Sequence, residues 1–224
     1  KGCLAGWERL DNASYDGKTF TNFVLNPFNE CSYCYASPKH KSFPKTIFKI
    51  DKYRLKDELT GNCRLTVGSN EIYCRPVRVL RFGKRTEAAS DLTLDDFILT
   101  LETCIETKTR GVVPTKFLKF NLEIADLFRK TNSVLLYSVS NLDNLEKGAC
   151  SYGCNNKFRV EQAIKYKEAG VNSILYLMIQ GHANPNQGQL ELLETAKKHN
   201  LQVQLLPMRF TSKDLVKEVT GISW

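Results

Sequence analysis

The chain has 224 residues, of which 42% are hydrophobic and 25% charged, a balance typical of one globular domain with a single hydrophobic core. Its net charge of +8 permits an anionic partner, including nucleic acid, but the basic residues are scattered rather than grouped. The sequence contains neither a long apolar run nor a secretory signal, which argues against a membrane partner. We therefore expect a cytoplasmic protein whose residues 1–224 form one domain.

Hydrophobic periodicity predicts strands that alternate with helices along most of the chain. The predicted strands are 20–25, 77–82, 117–120, 133–140, 171–179 and 201–206. The predicted helices are a segment from a cap at Asp91 or Thr93 through Ile105, then 124–130, 156–169 and 187–199. Residues 43–75 show no clear period and are predicted to be an irregular insertion. The nearly unbroken apolar run 171–179 indicates a strand buried on both faces.

This alternation is typical of an α/β fold in which helices cover a parallel sheet. Six strands are too few to close an eight-stranded barrel, so we expect a partial (β/α)6 TIM-type barrel, with a doubly wound sheet as the alternative. In both folds, ligands bind at the carboxyl ends of the strands.

Two of the eight cysteines, Cys31 and Cys34, are separated by two residues and follow the first predicted strand. Because the chain has no signal segment and is large enough to fold without cross-links, we expect its paired cysteines to bind metal rather than form disulfides. The spacing alone occurs in zinc, iron–sulfur and dithiol redox sites.

The residues around these cysteines narrow the choice of metal. Asn26-Pro27-Phe28, followed by Cys31-Ser32-Tyr33-Cys34-Tyr35-Ala36, resembles the cluster loop of radical S-adenosylmethionine enzymes. Farther along, Pro114-Thr115-Lys116, Val134 to Ser138, and Arg159 to Val171 are similar to the threonine–lysine strand, the serine-ending strand and the arginine helix of the spore photoproduct lyase-like branch. The resemblance runs from about Phe20 to about Leu206 and depends on the order and spacing of short motifs.

The resemblance implies that Cys31 and Cys34 bind a [4Fe-4S] cluster, which cleaves S-adenosylmethionine to a 5′-deoxyadenosyl radical. That radical would abstract hydrogen from an unidentified substrate, which could be nucleic acid because the branch acts on DNA. A flavodoxin or ferredoxin would supply the electron. The residues expected to contact S-adenosylmethionine are Tyr33 at the adenine, Gly83 near the methionine amine, Lys116 and Ser138 at the carboxylate, and Arg159 at the carboxylate or ribose.

One departure from the family concerns the third cysteine of its CxxxCxxC loop, because Pro27 lies four residues before Cys31. Either a distant cysteine completes the site, or loop residues are missing from this sequence, or the site is degenerate. The candidates for a distant ligand are Cys3, Cys63 and Cys74. The alternative function is a non-catalytic module that binds nucleic acid, or binds zinc through Cys31, Cys34, Cys63 and Cys74.

Several of these residues also have ordinary structural explanations. Lys116 could be a surface lysine, Ser138 could satisfy the backbone at a strand end, and Arg159 could pair with a glutamate on its own helix. Glu87 could either contact a ligand or simply precede a helix. Cys150 and Cys154 are expected to be loop and core thiols, with a second metal site as the alternative.

Overall fold

The computed structural model describes residues 8–9, 50–67, 70–73, 75–82, 87–89, 93–140, 155–179 and 187–207. The described helices are α1 (Lys52–Thr60), α2 (Leu94–Thr107), α3 (Leu122–Thr131), α4 (Asn156–Glu168) and α5 (Gln187–Lys198). The described strands are β1 (Glu8–Arg9), β2 (Arg64–Val67), β3 (Asn70–Tyr73), β4 (Val79–Arg81), β5 (Arg110–Thr115), β6 (Val134–Val139), β7 (Asn172–Ile179) and β8 (Gln202–Pro207).

Six of these strands form one sheet in the order β1-β4-β5-β6-β7-β8. The neighbours from β4 to β8 pair in parallel, β1 is antiparallel to β4, and β2 and β3 form a separate antiparallel hairpin. The predicted α/β fold with a parallel sheet is therefore confirmed. Within the described residues, one helix lies in each connection between consecutive strands from β4 to β8, which is the expected way to join parallel neighbours.

Polar side chains determine where several helices begin. The Asn121 side chain accepts hydrogen bonds from the backbone N–H groups of Glu123 and Ile124, and Asn155 accepts one from Phe158. Each bond satisfies an N–H group that has no partner inside the helix. Thr93 precedes α2 as predicted, but its hydroxyl instead donates to the carbonyl of Ala88, 2.9 Å away.

The hydrophobic core lies between the sheet and its helices. Aromatic rings from α2, α3, α4 and β6 meet there, with ring centroids 6.2 Å apart for Phe97 and Phe128 and 6.4 Å apart for Tyr137 and Tyr166. Along β7, Ser173, Leu175 and Leu177 face this core and are at most 1% exposed. The alternate residues Ile174, Tyr176 and Met178 are only half-buried. The predicted burial of both faces of this strand is therefore wrong for its second face.

The predicted strand at 117–120 is also wrong, because β5 lies earlier in the chain. The N–H groups of Phe117 and Leu118 bond to the Thr115 hydroxyl, and that of Phe120 bonds to the side chain of Gln162. Side chains thus accept the backbone hydrogen bonds of a loop whose composition is typical of a strand. Pro114 obscured the true strand, since proline lacks the donor that a central strand normally uses.

The predicted irregular insertion at 43–75 contains regular structure. Within its described part lie α1 and the β2–β3 hairpin. The Asp51 side chain begins α1, and Gly61 ends it at a φ of 79°, which favours glycine. Two apolar side chains of α1, Leu55 and Leu59, are buried in the core. Two apolar residues are too few to show a helical period in the sequence.

Among the residues that the structure describes, no helix is both long enough and apolar enough to cross a bilayer.

Candidate functional site

The carboxyl ends of β5 and β6 bring two predicted site residues to the same level of the sheet. Thr115 is the register partner of Tyr137, and Lys116 and Ser138 are the next residues in each parallel strand direction. Neighbouring strands are about 4.8 Å apart, so these two residues, 22 positions apart in sequence, follow directly on paired positions of adjacent strands. Both are half-buried. An ammonium and a hydroxyl are suitable donors to one carboxylate.

The carboxylate of Glu87 forms hydrogen bonds with residues at the end of β5. One carboxylate oxygen, Oε1, accepts a hydrogen bond of 2.5 Å from the Thr115 hydroxyl, and Oε2 accepts one of 2.8 Å from the Lys116 N–H. A longer bond of 3.3 Å comes from the Ala89 N–H. Burial raises the pKa of the Glu87 carboxyl, and these three donors oppose the shift. Glu87 therefore fixes the backbone from which Lys116 extends.

Arg159 lies directly behind the end of β6. Its side chain is fully buried, and Nη1 donates to the carbonyl oxygen of Ser138 at 3.2 Å and to Asn156 Oδ1 at 3.4 Å. The same Asn156 oxygen accepts a bond of 2.9 Å from the Ser140 N–H. The first turn of α4 thus holds the strand end through two side chains. The side chain of Arg159 thus contacts the backbone of Ser138 and the side chain of Asn156.

Two of the eight cysteines, Cys63 and Cys104, lie in the described residues, and neither is available as a thiolate. Cys63 is disulfide-bonded. Cys104 is a free thiol with no exposed surface, and burial raises its pKa to about 12. A protonated thiol and a disulfide sulfur are both poor metal ligands. Cys63 therefore does not supply the thiolate that the zinc alternative requires.

Four predicted site residues, Tyr33, Gly83, Cys31 and Cys34, lie outside the described residues. Within the described ranges, no three His, Cys, Asp or Glu side chains form a group that could hold a metal ion. Lys116, Ser138 and Arg159 are the predicted contacts that the structure describes. Arg159 donates to the backbone of Ser138, and Lys116 directly follows the residue paired with Tyr137.

Sequence reasoning underestimated two residues at this edge. The sequence leaves Glu87 as either a ligand contact or a residue that precedes a helix, and it predicts Asn156 only as the start of a helix. The signal for Glu87 is its position soon after a strand in a fold whose strand ends carry function. Nothing in the sequence alone identifies Asn156, because its two partners lie 16 residues before it and 3 after it.

Comparisons with known proteins give a distant structural similarity. No family model matches the sequence, and no curated protein matches it. Three solved structures of Streptococcus suis SuiB align with it. The structure bound to S-adenosylmethionine has 14% identity and a TM-score of 0.42, and the alignment covers 57% of this chain and 29% of that one.

The other two structures of SuiB align to a similar extent. The complex with the precursor peptide SuiA has 14% identity, a TM-score of 0.41, and coverage of 55% and 27%. The third has 15% identity, a TM-score of 0.41, and coverage of 62% and 30%. The chain thus spans less than a third of these neighbours. Alignments this partial carry no argument about activity, and the spore photoproduct lyase-like branch remains a prediction.

Proposed function

We propose that this chain is a radical S-adenosylmethionine enzyme that binds S-adenosylmethionine at the carboxyl ends of β5 and β6. The observation that carries the proposal is the register of these strands, in which Lys116 follows the partner of Tyr137 and Ser138 follows Tyr137 itself. The motifs that suggested the family were separate in sequence. Positions that follow paired residues of adjacent strands support a shared contact with one carboxylate.

The residues around this pair support a preorganised anion site. Glu87 accepts from the Lys116 N–H and so fixes the root of the lysine side chain. Arg159 and Asn156 fix the backbone of Ser138 and Ser140 from behind. Fixed donors lose little entropy when a ligand binds, which favours affinity. In this proposal Arg159 is a positioning residue, because its side chain is fully buried.

The proposal involves two cofactors, S-adenosylmethionine and an iron–sulfur cluster, and the described residues concern the first. Lys116 and Ser138 are half-buried donors and suit the methionine carboxylate of S-adenosylmethionine. The cluster ligands of the proposal, Cys31 and Cys34, lie outside the described residues. When bound, the cluster would supply the single electron that cleaves the sulfonium. Lys116 and Ser138 would hold the methionine end of the cofactor in a fixed orientation during that cleavage.

The first experiment determines the metal. The full chain, reconstituted anaerobically with iron and sulfide, should carry about four irons and four sulfides and absorb broadly in the visible region. Cys31→Ala and Cys34→Ala should abolish that absorption, whereas Cys104→Ala should retain it because the Cys104 thiol is buried and free. Stoichiometric zinc without iron would contradict the proposal.

The second experiment tests the cofactor site. Lys116→Ala and Ser138→Ala should each weaken S-adenosylmethionine binding in calorimetric titration by about 1–3 kcal/mol, roughly 5- to 150-fold, while the cluster spectrum is unchanged. Lys165→Ala is the matched control. Lys165 is exposed on α4 and lies far from Lys116 and Ser138 in the sequence. If both site variants bind as tightly as the control, the strand correspondence is wrong.

The third experiment tests the reaction. With dithionite as the electron source, the reconstituted chain should convert S-adenosylmethionine to 5′-deoxyadenosine and methionine without added substrate. Chromatography should detect 5′-deoxyadenosine above the level of the Cys31→Ala variant. If the two levels are equal while the cluster is present, the chain binds the cofactor without catalysing its cleavage, and the enzymatic proposal fails.

A further inference from the structure

Basic residues that are scattered in the sequence are grouped at one edge of the folded sheet. Because β5, β6, β7 and β8 are parallel, the turns that lead from each preceding helix into these strands all lie at the amino ends of the strands. Each turn, or the helical turn just before it, carries two cations. We call these residues the basic edge: Lys108 and Arg110, Arg129 and Lys130, Lys165 and Lys167, Lys197 and Lys198.

Hydrogen bonds join the successive turns into a continuous line. Arg110 Nε donates at 3.2 Å to the carbonyl oxygen of Asn132 in the turn before β6. Arg129 Nη1 donates at 2.6 Å to the carbonyl oxygen of Ala169 in the turn before β7. The segment before β4 joins the same line, because the Arg110 N–H donates at 2.9 Å to the carbonyl oxygen of Arg78.

Most of the positive charge of the basic edge is not neutralised. Seven of its eight side chains are exposed, and Lys167 is half-buried. Asp126 forms ion pairs with Arg129 and Lys130. Within the described part of the chain, the lysines at the other three turns have no ion pair, and these are Lys108, Lys165, Lys167, Lys197 and Lys198.

Few carboxylates accompany these lysines. In the same helical turns, the described acidic residues are Glu106 and Glu168. Glu106 is already bound by Lys52 and Lys56 of α1, at 2.8 and 3.0 Å. The basic edge is therefore a line of cations with a large excess of positive charge, and it suits an extended polyanion.

The length of this line suits a nucleic-acid backbone. Neighbouring strands are about 4.8 Å apart, so the five parallel strands from β4 to β8 span about 19 Å. Each strand of a double helix has one phosphate per roughly 3.4 Å of its axis, so about five or six phosphates would lie opposite the basic edge. Ammonium groups on flexible side chains bind phosphates without reading the bases.

The apolar residues at the surface favour this partner over two others. Membrane-surface sites combine cations with inserted apolar side chains, and single-stranded nucleic acid is bound on exposed aromatic rings. In the described residues, the exposed large apolar side chains lie outside the turns of the basic edge, and they are Tyr53, Leu122, Leu190, Leu193 and Leu205. We propose that the basic edge binds the phosphate backbone of double-stranded nucleic acid without sequence preference.

The basic edge and the proposed cofactor site lie at opposite ends of the same strands. Lys116 and Ser138 lie at the carboxyl ends of β5 and β6, which are each six residues long, about 20 Å. Nucleic acid bound at the amino ends would therefore not occupy the site of S-adenosylmethionine. The inference goes beyond the proposed function and does not depend on it.

Fluorescence anisotropy with the full chain tests the proposal. The probe is a labelled DNA duplex of mixed sequence and about 20 base pairs, titrated between about 50 and 200 mM salt. The logarithm of the binding constant should fall linearly with the logarithm of the salt concentration. The double variants Lys165→Gln/Lys167→Gln and Lys197→Gln/Lys198→Gln should each bind more weakly to every sequence, and each should reduce the slope by up to about 1.8.

The matched control removes the same charge from the other end of the strands. Lys119→Gln/Lys157→Gln replaces two exposed lysines, one in the loop after β5 and one in the first turn of α4, and should bind the duplex like the unchanged chain. A control that loses as much affinity as the basic-edge variants would place the nucleic acid at the carboxyl ends and overturn the proposal. Binding to phosphatidylserine vesicles without binding to the duplex would overturn it as well.

A stability measurement separates binding from the effect of the lysines on their helices. Cations near the carboxyl end of a helix also stabilise it through the helix dipole. Circular dichroism in denaturant should show that both basic-edge variants remain folded under the binding conditions. If these variants unfold more easily but bind the duplex as tightly as the unchanged chain, the lysines serve only the helix ends and the proposal fails.

Discussion

The Thr115 hydroxyl connects the end of β5 to Glu87, and replacing Thr115 by Val tests how much that connection contributes. The hydroxyl donates to Glu87 Oε1 at 2.5 Å and accepts from the N–H groups of Phe117 and Leu118 at 3.1 and 3.2 Å. Thr115 is 2% exposed, so water cannot easily replace these bonds. Valine has the same shape and keeps the strand preference of the site.

The expected loss follows from these contacts. A hydrogen bond to a carboxyl group contributes about 0.5–1.5 kcal/mol when that group is neutral and about 1.5–3 kcal/mol when it is ionised, and a buried N–H without an acceptor costs about 1–3 kcal/mol. Because the two N–H groups share one acceptor and the loop can relax, we expect Thr115→Val to lower the free energy of unfolding by about 3 kcal/mol near neutral pH. Denaturant unfolding followed by circular dichroism measures this difference.

The matched control is Thr100→Val in α2. Thr100 has no exposed surface, but its hydroxyl donates at 2.6 Å to the carbonyl of Asp96 in the preceding helical turn. Such a bond adds little to a helix, and Thr and Val have similar helix propensities, so a loss below about 1 kcal/mol is expected. Similar losses in both variants would refute the assigned contribution of the Glu87 contact.

The pH dependence provides an independent check on the same contact. The raised pKa of Glu87 means that the folded state holds its proton above the ordinary value of 4.5, so stability falls as the pH rises from there through the raised pKa. The Thr115 hydroxyl opposes this shift because it favours the ionised carboxylate. The cost of Thr115→Val should therefore be larger above the raised pKa of Glu87 than below it. A cost independent of pH would show that the hydroxyl does not stabilise the ionised form.

Three other predictions concern the core and a helix end. Gly111→Ala should lower the free energy of unfolding by about 1–3 kcal/mol in denaturant titration, because an added Cβ would lie 2.8 Å from Ser133 Oγ and 3.0 Å from the Phe82 ring. Cys104 should resist alkylation in the native protein at mildly alkaline pH, because burial raises its pKa to about 12, and mass spectrometry should find it modified only after unfolding. Asn121→Ala should reduce stability by about 1 kcal/mol by the same denaturant assay, because two N–H groups of α3 lose their acceptor, and no change would show that water replaces the cap.

Local patterns in the sequence determined most of the helices and strands between Leu94 and Pro207. The apolar period of α2 and the Asn121 and Asn155 caps needed no tertiary information, because side-chain spacing and local hydrogen bonds specify them. Gly170, with a φ of 81°, follows α4, because glycine tolerates the left-handed conformation that ends a helix. The order of these elements also predicted the parallel sheet.

Tertiary structure alone decided the rest. Residues 117–120 have the composition of a strand, yet Thr115 and the distant Gln162 satisfy their backbone, so the chain forms a loop there. The hairpin register that sets Cys63 one step beyond the last pair depends on which residues of β2 and β3 face each other. Likewise, the adjacency of Lys116 and Ser138 and the burial of Arg159 behind them arise from strand pairing and helix packing. A sequence pattern reports the neighbours along the chain, whereas these contacts join residues that only the folded sheet brings together.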